Sequence, residues 1–133
     1  MRSSDKNEPK LIDDIQKSSD WVAKALSSSG YNADYSLKSL KEIDRFFDEQ
    51  NKPNGILSNN TGAILFALGS YVGNVAIKTA GGRWNTDDND PQGEINIEVE
   101  LSNGTRMWPV QRMMKRFKLG KEESIAAYLA FLR

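Results

Sequence analysis

Apolar positions along this 133-residue chain recur mostly at helical spacing, with one alternating stretch late in the sequence. Leu11, Ile15, Val22, Ala25 and Leu26 fall on one face, flanked by Ile12 and Trp21, and the run stops at Ser27-Ser28-Ser29-Gly30. This predicts a first amphipathic helix. Ser36 is placed to cap a second helix, in which Leu37, Leu40, Ile43 and Phe47 repeat at three and four until Lys52-Pro53-Asn54-Gly55 ends it.

A third helix over 60–80 is apolar nearly all round, the mark of a buried helix. Gly62, Gly69, Gly73, Ala76 and Ala80 share a narrow arc, with Ile64, Leu68, Tyr71 and Val75 opposite. Glycine inside a helix costs roughly 1 kcal/mol against alanine, so glycines sharing a face predict the close approach of another backbone. Gly81-Gly82 ends the helix through a left-handed residue.

Beyond it, Ile95, Ile97, Val99 and Leu101 alternate with Glu94, Asn96, Glu98 and Glu100, a period of two that predicts a strand with one buried face. Asn103-Gly104 signals a hairpin into Thr105–Trp108. A two-residue turn would set Leu101 against Arg106, whereas a three-residue turn through Ser102-Asn103-Gly104 pairs Glu100 with Arg106 and Val99 with Met107. The second register is expected. Arg83–Asn85 supplies a third antiparallel strand, joined by the acidic loop Asp87-Asp88-Asn89-Asp90-Pro91.

Pro109 opens a helix with Val110, Met113, Met114 and Phe117 on its apolar face and Arg112, Lys115 and Arg116 opposite. A last helix from Glu122 buries Ile125, Tyr128, Leu129 and Leu132. The expected architecture is α+β: about five helices and a small three-stranded antiparallel sheet around the glycine-bearing helix. Residues 10–133 form one domain, and residues 1–9 a mobile tail with no secretory pattern.

Eighteen Lys and Arg balance eighteen Asp and Glu, so no net field steers the molecule toward nucleic acid or an anionic membrane. Any electrostatic partner must find a local patch. No histidine and no cysteine are present, which removes disulfides, thiolate metal sites and the usual general base. The charge-free window from Pro53 to Ile77 opens with turn residues, leaving Gly62–Ile77, shorter than the roughly 20 apolar residues a bilayer needs. A buried core helix is expected there and no membrane contact. A cytoplasmic location fits the absence of cysteine.

Asp44 projects beside Leu37 and Leu40, so its carboxylate needs a partner such as Arg83 or Arg116; a structural ion pair or cap is favoured over a perturbed catalytic group. Asp88-x-Asp90-x-Gln92-Gly93 mimics the start of a calcium loop, but Val99 stands at the twelfth position and cannot ligate. A solvated turn is the better reading, and no metal or cofactor is expected. Arg112, Lys115 and Arg116 could hold a phosphate backbone or an acidic protein, though no set of stacking aromatics is evident beside them. Trp84 and Trp108 lie on or beside neighbouring strands. Trp108 is expected opposite Glu98 and partly exposed, and an indole flanked by Arg83 and Arg106 has the composition of a binding hot spot.

Asp34-Tyr35-Ser36 with Ser39-Leu40, then Leu68-Gly69-x-Tyr71-x-Gly73, Gly81-Gly82-x-Trp84, Asn103-Gly104, Pro109 and Lys115-Arg116 followed by Gly120 together resemble a family of small bacterial domains of unknown function. The likeness spans roughly Tyr31 to Leu132. It implies a shared fold and supplies no reaction, substrate or cofactor. Such sequences often carry Glu where this chain has Asn74, so an activity needing that carboxylate would be missing here.

The expected function is therefore a non-enzymatic, cytoplasmic binding protein, an inhibitor or immunity protein, acting through Arg83, Trp84, Arg106, Trp108, Arg112, Lys115 and Arg116. Two alternatives stand beside it: RNA or DNA binding by the basic helix 110–118, and a carboxylate enzyme using Asp44 near a pocket under Trp84. Either a monomer or a homodimer is compatible with an exposed sheet edge.

Overall fold

The computed structural model describes residues 10–132, so the expectation for residues 1–9 lies outside the described residues. In chain order the elements are α1 (Leu11–Ser28), α2 (Leu40–Gln50), α3 (Thr61–Ala80), β1 (Gly82–Asn85), β2 (Glu98–Leu101), β3 (Arg106–Met107), α4 (Pro109–Leu119) and α5 (Ile125–Tyr128). Short 3-10 turns occupy Leu37–Ser39, Ile56–Ser58, Gly120–Glu123 and Ala130–Leu132. The fold is α+β, five helices and one antiparallel sheet in the order β1-β2-β3.

Helix α3 is central because its middle is apolar all round: every residue from Ile64 to Gly73 is buried, and so are Val75 and Ala76. Helices α1 and α4 pack on it along two sides. Fully burying a side chain such as Leu68 or Val72 contributes about 1.5–3 kcal/mol. By length and composition α3 would suffice to cross a bilayer, yet 67% of its most apolar window is buried inside the protein. It also runs longer than the apolar stretch Gly62–Ile77.

The shared glycine face is half right. A Cβ at Gly69 would lie 2.9 Å from the Val110 backbone, so α4 begins directly against this residue. At Gly73 a Cβ would overlap the Trp84 indole, so there a side chain and not a backbone makes the close approach. Gly62 and Ala80, at the two ends of the arc, are exposed, and a Cβ at Gly62 would meet nothing within 4 Å.

Glu100 pairs with Arg106 and Val99 with Met107, as the three-residue turn requires, and Gly104 takes the left-handed φ of 91°. Strand β1 pairs Arg83 with Glu100 and Trp84 with Val99. The strand expected from Ile95 begins only at Glu98. Residues 94–96 turn instead, because the Ile95 and Asn96 N–H groups donate to the Gln92 carbonyl and the Asn96 side-chain amide donates to Asp90.

Two helical faces are rotated from the simplest periodic reading, and one expected helix is broken. On α1, Ala25 is exposed while Ala23 and Ser19 are buried, Ser19 sharing a 2.7 Å hydrogen bond with the Tyr35 hydroxyl. On α4, Met114 is exposed and Arg116 is buried. The expected single helix from Glu122 is broken at Ser124 into a 3-10 turn, one α-turn and a second 3-10 turn.

Candidate functional site

Asp44 explains that break. One carboxylate oxygen accepts from Arg116 Nε at 3.0 Å and the Ile125 N–H at 2.8 Å; the other accepts from Ser124 Oγ and the Ala126 N–H, both at 2.9 Å. A carboxylate from α2 thus caps α5, where exposed N–H groups favour negative charge. Arg116, only 3% exposed, also reaches the Asp44 carbonyl and Asp48. The expected Arg116 partner of Asp44 is therefore correct, and Arg116 as a surface contact is not: the two aspartates draw it inward. Burial pushes the Arg116 pKa down, but the hydrogen bonds to Asp48 and Asp44 outweigh it and the net shift is upward. With four donors on its two oxygens, Asp44 is a structural group.

Trp84 also turns inward. Its indole covers Gly73 and bridges the main core to a smaller cluster of Leu11, Ile15, Phe66, Ile97 and Val110. Nε1 donates to Asn74 Oδ1 at 2.9 Å, so position 74 anchors the ring. The indole sits flush on Gly73 of α3, which leaves no space between them for the pocket that the enzyme alternative placed under Trp84.

Arg83 and Arg106 lie on the outer face of the sheet, where they stay exposed to solvent and also pair with glutamates. Arg83 reaches Glu100 at 3.1 Å; Arg106 reaches Glu98 at 3.6 Å and Glu100 at 3.9 Å. Asn85 donates to both glutamates. The amide of Asn85 and then the Arg83 guanidinium hold the Glu100 carboxyl below its ordinary range. Exposed pairs of this kind contribute little to stability, but they neutralise the face.

The remaining three residues converge. Trp108 stands between β3 and α4 and stays 42% exposed; with Gln111, Arg112, Lys115 and Tyr128 it lines an open cleft of about 360 Å³. The Arg112 guanidinium lies 4.2 Å from the Tyr128 ring centre and pairs with Glu123 at 3.1 Å. Its Nε is buried with no acceptor among the described residues. Burial raises the Tyr128 pKa, which the Arg112 charge partly offsets. Gln111 donates to Asn96 at 3.1 Å and closes one side. Sequence spacing placed Arg112 and Lys115 together because both lie on α4. Tyr128 and Glu123 reach the cleft only because the capped C-terminal segment folds back, and no local pattern announces that.

A second polar cluster was not foreseen. Tyr71, fully buried on α3, shares a 2.7 Å hydrogen bond with Ser39 and accepts from the Tyr35 N–H at 2.9 Å. Tyr35 adopts a left-handed φ of 63° to make that contact. Asp34-Tyr35-Ser36, Ser39 and Tyr71, which stand in separate motifs, are thereby one assembly pinning the α1–α2 connection to α3.

In the acidic loop the carboxylates are already engaged. Asp88 accepts from the Leu11 N–H at 2.7 Å, Asp87 from the Asn89 N–H, and Asp90 from Gln92 and Asn96. Among the described residues no group of three or more metal-binding side chains gathers. Against known proteins, the chain matches no family model, no curated protein and no solved structure, and the likeness to small bacterial domains rests on its motifs alone.

Proposed function

We propose that this chain is a non-enzymatic binding protein of the bacterial cytoplasm, acting on another protein as an inhibitor or immunity protein does. The observation that carries the reading is Trp108, a large indole left 42% exposed at the mouth of a cleft whose other walls are basic, amide and aromatic. Partly exposed tryptophan beside arginine is the composition that dominates protein interfaces. The contact surface is the cleft, with Trp108, Arg112 and Lys115; the self-neutralised sheet face supplies a polar rim.

Affinity capture compares the wild-type chain with Trp108→Ala and Lys115→Glu. Stoichiometric recovery of one protein by wild type, lost with either variant, supports the reading. Recovery insensitive to both substitutions, or no partner at all from the native host, overturns it.

One observation favours a second reading, nucleic-acid binding. Trp108 and Tyr128 stand beside Arg112 and Lys115, supplying the aromatic groups that the basic stretch lacks in sequence. The withdrawal of Arg116 counts against it. Binding to RNA or DNA that falls steeply between 50 and 200 mM salt is the required signature, by roughly a factor of ten or more for a few phosphate contacts.

A further inference from the structure

The geometry points to a carboxylate as the group a protein partner presents to this cleft, seated against Arg112 with an apolar neighbour on Trp108. This rests on the partner-binding reading above. A guanidinium carries five donors in a rigid fork. Two arginines on one helix show what completion looks like. Arg116 has two carboxylates and a carbonyl. Arg112, one turn earlier, has a single carboxylate, Glu123, and a sealed Nε with no acceptor among the described residues. A buried donor left unmet is destabilising, so Arg112 is held less completely than Arg116; because its Nε is sealed, an incoming carboxylate meets the guanidinium through its terminal nitrogens on the cleft side.

The surroundings select the class of anion. Lys115 adds an exposed positive charge with no described carboxylate paired to it, and Trp108 offers an apolar flank. A nucleic-acid strand needs a track of cations and free aromatic faces. Here Arg116 is withdrawn and one face of Tyr128 is covered by Arg112. An acidic protein segment, with Glu or Asp next to a leucine-like residue, fits these constraints. Glu123 competes for the same guanidinium, so an incoming carboxylate works against it.

The test is a titration followed by NMR of the Trp108 indole N–H and the Arg112 Nε–H. The probe is the blocked peptide Ac-Leu-Glu-Glu-Leu-NH2, with Ac-Leu-Gln-Gln-Leu-NH2 and adenosine monophosphate as comparisons. The acidic peptide is expected to shift both signals saturably and the amide peptide to leave them unmoved. Glu123→Gln should tighten the acidic peptide about three- to tenfold by removing the competing charge. Arg112→Lys should abolish the response; should that variant melt early, Lys115→Met gives the same answer as weakened binding. Equal binding of both peptides, tighter binding of the monophosphate, or no gain with Glu123→Gln overturns the inference. A partner captured through Trp108 while the acidic peptide fails sinks the carboxylate assignment alone, whereas capture indifferent to Trp108 sinks the partner-binding reading.

Discussion

At the scale of single residues, Asp44 ties three parts of the chain together: α2, where it resides, α4 through Arg116, and the start of α5. Asp44→Asn keeps the shape but turns an amide donor toward donors and deprives Arg116 of one of its two counter-charges. The expected loss is about 2–4 kcal/mol of stability, the range for breaking a buried, hydrogen-bonded charge pair. Urea denaturation checks the magnitude. Amide exchange checks the place, since the Ile125 and Ala126 N–H groups should exchange much faster in the variant. A loss under 0.5 kcal/mol would mean that the carboxylate is not a keystone. The need for a partner could be read from a charge on an apolar helical face. Its capping of α5 could not, because residues 44 and 125 are brought together only by folding.

At the scale of elements, α3 makes its own prediction through its glycines. Gly62 faces open space, and exchanging it for alanine narrows the unfolded ensemble without a clash, so Gly62→Ala should stabilise by a few tenths to about 1 kcal/mol. Gly69→Ala drives a methyl into the Val110 backbone, and Gly73→Ala drives one into the Trp84 ring. Each should cost about 1–3 kcal/mol, as overpacking does. The Gly73 variant should also alter Trp84 fluorescence, because the ring must move off α3. Thermal melts of the three variants that rank in any other order would refute the packing described for this helix. The arc itself was legible as a 100° periodicity; which of its members meet a neighbour depends on where α4 and β1 happen to cross.

At the scale of the whole molecule, the tyrosines report on how completely the interior is sealed. All four are raised above the ordinary phenol value, with burial the largest cause in each. A phenol whose pKa is raised on folding holds its proton more tightly in the native state. Its contribution to stability is therefore fully present below the unfolded value of about 10 and is lost as pH rises through the folded value. Absorbance of phenolate near 295 nm should stay low beyond pH 10 and then rise together with loss of the circular dichroism signal. A tyrosine titrating at about pH 10 in a still-folded protein would contradict this. Function belongs to the same scale: of the seven residues that looked like one surface, the fold keeps three in a cleft, neutralises two on the sheet, turns Trp84 inward against α3 and buries Arg116.

Periodicity, turn chemistry and charge matching in the sequence determined the helices, the α+β class, the centrality of α3 and the register of the hairpin. These follow from interactions among near neighbours, and the pairing of Glu100 with Arg106 follows from a loop three residues long. The outward or inward sense of each cation is different in kind. Arg116 and Arg112 stand one turn apart on the same helix, and only the approach of α2 and the returning C-terminal segment sends the first into a sealed carboxylate pair and leaves the second incompletely satisfied at a cleft. Trp84 and Trp108 are separated in the same way, one meeting the methyl-free face of a glycine and the other meeting solvent. Those outcomes were decided by tertiary structure, because the burial of a charge or an indole depends on what distant chain arrives to cover it.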